Sequence, residues 1–143
     1  MAGRNVFVGV GRRVRPYRQL AWRGPRETAQ WLSASVPLRL YCARSFAARF
    51  LGLRWWPNWG VRPRGLLLPG CRAVHTLGLA QAVDLVFLDR RGQIVGMASR
   101  VGPWRLAWRC SARAIVELPA GYCARQDWQV QVETAWSARK IVV

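Results

Sequence analysis

The stretch Val83-Asp-Leu-Val-Phe-Leu88, Asp89-Arg-Arg-Gly92, Gln93-Ile-Val-Gly-Met97 constrains the fold more than any other part of the chain. Two apolar runs flank a short polar segment that starts with Asp and ends with Gly. An Asp side chain accepts hydrogen bonds from backbone N–H groups just downstream, and Gly takes the positive φ that closes a tight turn, so the segment predicts a β-hairpin. The stretch holds two of the six acidic residues, Asp84 and Asp89, and the only histidine, His75, lies just upstream in the segment that begins at Cys71. In a chain of formal net charge +17, an acid inside an apolar strand needs a reason. Burying a bare carboxylate is costly, so Asp84 must be paired or hydrogen-bonded.

With 143 residues, 52% of them hydrophobic, the chain can bury the core of one ordinary domain, and disorder throughout is excluded. The basic excess is nearly all arginine, with Lys140 the only lysine. A GC-rich coding bias suffices for that preference, yet the charge still attracts nucleic acid, anionic lipid or acidic protein in a salt-dependent way. Cys42, Cys71, Cys110 and Cys123 form no CxxC pair, so zinc-ribbon and thioredoxin spacings are absent. Free, buried thiols are the default reading, with one or two disulfides open if the chain is exported. No apolar run approaches a membrane span, and the start is too short in apolar residues for a signal peptide. The cytoplasm is the default compartment, with export left open.

Residues 1–35 carry seven arginines, scattered glycine and no sustained period, and read as a basic, poorly ordered extension. The domain spans 36–136, and 137–143 is a short tail. Strands are expected at Pro37–Cys42, Gly65–Pro69, Val83–Leu88, Gln93–Met97, Ala114–Leu118 and, by alternation, Trp128–Glu133. Trp104–Cys110 is ambiguous. A helix is expected from the cap at Ser45 through Phe46, Arg49, Phe50 and Leu53, and one helical turn near Ala120–Arg125. Six or seven short strands with one short helix make a mainly β fold, a compact sandwich-like or barrel-like domain.

Four segments together resemble the bacterial and archaeal domain of unknown function 192 family. They are Ala43-Arg-Ser-Phe-Ala-Ala-Arg49-Phe-Leu-Gly52-Leu, Gly65-Leu-Leu-Leu-Pro-Gly-Cys71-Arg-Ala-Val-His75-Thr, Asp84-Leu-Val-Phe-Leu-Asp89 with Gly92 and Ile94, and Ala112-Arg-Ala-Ile-Val-Glu117-Leu-Pro-Ala-Gly121. The resemblance covers roughly Val36 to Trp136. It implies a small β-sandwich-like or barrel-like fold with no established activity. It also implies a link to small proteins encoded near pilus-assembly or secretion genes, which is association only. The chain departs from the family pattern at Leu79 (usually Met), at Ala82-Val83 (usually Pro-Ile) and at Gln131-Val132 (usually a Gly-Asp turn). The Trp55-Trp56-Pro57-Asn58-Trp59 loop is also unusual. These departures mark a diverged copy.

Among candidate sites, His75 could act as a base, or as a zinc ligand with Cys71, Cys110 and Cys123. In another branch of the resembled family a tryptophan stands at the matching position, which a metal site would not survive. No metal and no cofactor is therefore expected. Asp84 either pairs with an arginine or ties down a loop by accepting backbone N–H bonds, and the second is favoured. Asp89 reads as a turn residue. Glu117 is again an acid among apolar neighbours, and with Asp84 it could form an acid–base pair only if the two converge. Trp104-Arg105 with Trp108-Arg109, and Arg54-Trp55-Trp56 with Trp59, Arg62 and Arg64, interleave rings with cations as single-strand binders do. A core aromatic cluster with an arginine rim explains them better.

Phosphate loops, nucleophile elbows and HExxH helices are missing. The favoured function is a non-enzymatic binding or accessory module with an unknown protein partner. The alternatives are a nucleic-acid-binding protein using the Trp/Arg patches, and an enzyme or small-ligand binder around His75, Asp84 and Glu117. Ligand-binding candidates are Asp84, His75, Trp104 and Arg105.

Overall fold

A computed structural model describes residues 7–10, 13–16, 36–44 and 63–138. Nine strands occur among them: β1 (Phe7–Val10), β2 (Arg13–Pro16), β3 (Arg39–Cys42), β4 (Arg64–Pro69), β5 (Ala73–His75), β6 (Val83–Leu88), β7 (Ile94–Val101), β8 (Leu106–Trp108) and β9 (Ala114–Pro119). A 3₁₀ turn at Tyr122–Ala124 and a helix, α1 (Trp128–Ser137), follow. Seven strands, β3 to β9, lie in the stretch expected to hold six or seven. The strands form two open sheets, ordered β2-β1-β8-β5 and β3-β4-β9-β6-β7, so the described residues make a sandwich and close no barrel.

The hairpin β6–β7 forms where the turn chemistry predicts it. Asp89 Oδ1 accepts the N–H groups of Arg91 at 2.7 Å and Gln93 at 3.0 Å. Gly92 takes φ +81, and a Cβ there would run into the Trp136 indole ring, so only glycine fits between the turn and α1.

The five-stranded sheet is buried on both faces, which explains why β6 and β9 are near-continuous apolar runs rather than alternating ones. On one face Leu66, Leu68, Leu85, Phe87, Ala98 and Ile115 pack with Val74 and Ala107 of the small sheet. On the other, Leu67, Val86, Leu88, Val116 and Leu118 pack with Tyr122, Cys123, Val132 and Ala135 from the 3₁₀ turn and α1. Each fully buried Leu or Phe in these layers contributes roughly 1.5–3 kcal/mol. The order is thus small sheet, large sheet, helix.

One expectation is corrected, and three strands form where none was expected. Trp128–Glu133 is helix, not strand. The alternation of Trp128, Val130 and Val132 competes with a four-residue spacing, Trp128, Val132, Ala135 and Trp136, and the second set packs on the sheet while Val130 is exposed. Within the segment read as a poorly ordered extension, β1 and β2 form an antiparallel hairpin whose β1 adds to β8. Phe7-Val-Gly-Val10 and Arg13-Val-Arg15 are short, β-branched runs that the arginine count obscured. Ala73–His75, passed over, forms β5 against β8. The helix expected at 45–53 and the Trp55–Trp59 loop lie outside the described residues.

Candidate functional site

Asp84 lies in β6 with no exposed surface. In the ladder with β7, Val83 pairs with Val101 and Leu85 with Ala98, so Asp84 alone stands opposite Ser99 and Arg100. That extra residue is a β-bulge, and Arg100 adopts φ +52 within it. The carboxylate closes the bulge. Oδ1 accepts the Arg100 backbone N–H at 2.7 Å, and Oδ2 accepts the Cys123 N–H at 2.8 Å. The Gly121 amide and the Cys123 thiol also reach it. Gly121 has φ +86, which turns successive amides toward one point, the geometry of an anion-binding nest. Here the protein's own carboxylate fills that nest. Among the described residues no guanidinium pairs with it, and its hydrogen bonds tie the Arg100 bulge and the Gly121–Cys123 turn to β6.

Burial raises the Asp84 pKa above its ordinary value, and the amide hydrogen bonds oppose that shift without cancelling it. Burial also pushes the Cys123 thiol up, and the neighbouring Asp84 charge pushes in the same direction. Cys123 is thus a protonated, inert packing group rather than a nucleophile.

Glu117 pairs in register with Leu66 and Leu85, while Asp84 pairs with Leu118. Leu66 and Leu85 face the small sheet and Leu118 faces the helix, so the two acids lie on opposite faces of one sheet. They cannot act as a carboxylate pair. His75 sits in β5 beside Val74, whose side chain packs between the sheets. Alternation places His75 on the outer face of the small sheet, opposite Leu106 in register. The three residues considered for catalysis therefore lie on three different sheet faces.

The four cysteines form no disulfide, and no cluster of three His, Cys, Asp or Glu side chains occurs among the described residues. Cys110 is exposed and Cys123 buried behind the large sheet, so His75 and Cys71 gain no second pair of ligands from them.

Trp104 and Arg105 do come together with the His75 strand, through a residue the sequence did not flag. Thr76 is buried, and its N–H donates to the Arg105 carbonyl at 2.8 Å. Its carbonyl accepts the Trp104 N–H at 3.1 Å. Its hydroxyl donates to the Gly102 carbonyl and accepts the Arg105 N–H, both at 2.8 Å. On this frame Trp104 takes φ +61, a conformation unfavourable for a bulky side chain, and remains 64% exposed. Leu77 and Leu106, 46% and 47% exposed, flank it along the same chain segments. A threonine between a histidine and a leucine carries no sequence signal of such a role. Of the other ring–cation candidates, Arg64 lies 6.0 Å from the Tyr41 ring, and Arg109 Nε donates to Ser111 Oγ at 3.1 Å. Both arginines are held within the fold.

The layered β-rich fold and a site built from backbone cradles define a small sandwich domain without an assembled catalytic set among the described residues. A family model, DUF192 (Uncharacterized ACR), matches residues 29–136, and the chain belongs to that family. A solved structure of similar fold is a protein of unknown function from Novosphingobium aromaticivorans DSM 12444. It is 19% identical with a TM-score of 0.52, over 61% of this chain and 66% of that one, just under two thirds of its length. That likeness bears on the fold alone. No curated protein matches the chain. No helix among the described residues is long and apolar enough to cross a membrane.

Proposed function

We propose that the chain is a non-catalytic binding module whose contact surface is the Trp104 corner. The observation that carries this reading is an exposed tryptophan held in a left-handed conformation by a buried threonine. Such strain costs roughly 1–3 kcal/mol and persists where the surroundings enforce it, which is characteristic of binding sites. A solvent-facing ring flanked by two exposed leucines suits an apolar anchor on a partner. Arg105 beside it and the formal charge of +17 favour acidic flanks on that anchor. His75, opposite Leu106, borders the same surface. The separation of His75, Asp84 and Glu117 onto different sheet faces supports a role without catalysis.

The family's association with pilus-assembly and secretion genes makes segments of such apparatus proteins the first peptides to screen. Binding of acidic, apolar-centred peptides to the full chain, read by isothermal titration, tests the reading. Trp104→Gly removes the ring and suits the positive φ, so the variant should fold as well as the parent and lose peptide affinity by tenfold or more, about 1.4 kcal/mol. Equal affinity in parent and variant overturns the proposal. Binding of single-stranded oligonucleotides that is lost in Trp104→Gly, with no peptide binding, establishes the nucleic-acid alternative instead.

A further inference from the structure

A second surface lies away from the Trp104 corner and does not depend on the reading above. The β6–β7 turn and the segment preceding β9 enclose an open recess of about 310 Å³, lined by Asp89, Arg90, Arg91, Gln93, Ser111 and Arg113. We infer that this recess is a binding site for a phosphate group, carried by inorganic phosphate or a small phosphomonoester.

Three guanidiniums and one carboxylate line it, and the carboxylate is already committed. Asp89 Oδ1 holds the amides of Arg91 and Gln93, so its charge serves the turn. Arg113 is positioned in advance. Its Nη1 donates to the Ala112 carbonyl at 2.7 Å and the Cys110 carbonyl at 3.2 Å, and its backbone N–H donates to Leu88 at 2.7 Å. The remaining guanidinium donors are left for a planar, two-point contact with an oxyanion. Ser111 Oγ accepts from Arg109 Nε, which leaves its own proton to donate. Arg90 and Arg91 are exposed and form no ion pair, the one ion pair among the described residues being Arg125–Asp127.

The turn that lines the recess is braced from behind. Gly92 is packed against Trp136, and the turn closes through Asp89 N–H to the Gln93 carbonyl at 2.9 Å. A fixed Arg113 on a braced turn differs from a solvated run of arginines in this respect, because only Arg90 and Arg91 must order on binding. Its volume is at the lower end for ligand pockets, which suits a small phosphorylated molecule rather than a large cofactor.

The test is titration of the full chain with inorganic phosphate and with glycerol phosphate at constant ionic strength, against sodium chloride as control, by calorimetry and ³¹P line width. Arg113→Ala and Ser111→Ala should each weaken phosphate binding, Arg113→Ala by about tenfold or more, while Arg72→Ala should leave it unchanged. Arg113→Lys keeps the charge but not the fork, and should also weaken binding. Thermal melts establish that each variant folds. The free-phosphate and monoester arms distinguish the two sources. Binding matched by chloride, or weakened equally by Arg72→Ala, overturns the site in favour of a diffuse basic surface. Binding of oligonucleotides alone, with neither small probe retained, also overturns it.

Discussion

Asp84→Asn isolates what the buried carboxylate does. In the native protein, one oxygen accepts the Arg100 N–H at 2.7 Å and the other accepts the Cys123 N–H at 2.8 Å. Asparagine keeps the shape but offers one oxygen and one NH₂. Whichever way the amide turns, one buried backbone N–H faces a donor. Leaving one such group unsatisfied costs about 1–3 kcal/mol, and the donor–donor contact adds to it, so roughly 2–4 kcal/mol of stability should be lost. For a domain of this size that corresponds to a melting temperature lowered by roughly 6–16 °C. The pH dependence provides a second, independent readout. Burial raises the native-state pKa of Asp84 above its unfolded value, so protonation favours the folded state. That contribution is fully present below the unfolded pKa and is lost as pH rises through the native pKa. Asparagine has no such titration. The stability gap between parent and variant should therefore be widest in acid and narrow as pH rises. Urea unfolding of both proteins at a series of pH values measures the gap directly, with other titrating groups cancelling in the difference. A gap that widens with pH would mean that the amide cradle, not burial, dominates, and would refute the reasoning. Equal stability at every pH would refute the structural role altogether.

Tyr122→Phe should leave stability unchanged or raise it by up to about 1 kcal/mol, because the Tyr122 hydroxyl is buried with no hydrogen-bond partner; a loss larger than that in urea unfolding counts against the geometry. Tyr122 itself should titrate near 12, pushed up chiefly by burial, in ultraviolet difference spectra of the folded protein. Gly92→Ala should destabilise by roughly 2–4 kcal/mol in thermal unfolding, since the added Cβ meets the Trp136 ring at a backbone φ of +81. The Asp127 carboxylate should titrate near 2 by carbon NMR, held down chiefly by its hydrogen bond from Arg125; its contribution to stability is present above the unfolded pKa and is lost as pH falls through about 2, and Arg125→Lys should move the midpoint upward.

How far the sequence reveals this protein differs from element to element. The β6–β7 hairpin is legible because Asp89 and Gly92 each do one local job, and local jobs are written in local sequence. The burial of Asp84 is legible from its apolar neighbours, and so is the need for partners. The partners themselves are not, because Arg100 and Cys123 contribute backbone amides, which every residue possesses. Thr76 escapes notice for the same reason, since it binds the backbone of Gly102 and Arg105. The separation of Asp84 from Glu117 depends on register between β6 and β9, and a one-residue difference in register exchanges the faces. The helix α1 misleads because Trp128-Gln-Val-Gln-Val fits periods of two and nearly four equally well, and only the packing of Trp136 and Ala135 decides between them.

The two strained, non-glycine residues of the described chain, Arg100 and Trp104, lie four positions apart, and their placement has a common cause. Between them the chain leaves β7, in the large sheet, and crosses to β8, in the small one. Strands that change sheets at a sandwich corner must bend sharply, and bulges supply that bend. Each end of the crossing is fixed by a buried polar residue from a different sheet. The Asp84 carboxylate of β6 holds the Arg100 amide, and Thr76, directly after β5, holds Trp104 through its backbone carbonyl and Gly102 and Arg105 through its hydroxyl. Neither anchor contacts solvent, yet together they hold the backbone of the segment from which the exposed Trp104 ring projects. The rare acid within an apolar strand is thus connected to the surface through backbone geometry rather than through its own chemistry. On this account the core charge and the exposed ring form one construction, in which the buried carboxylate stabilises the corner that presents the tryptophan.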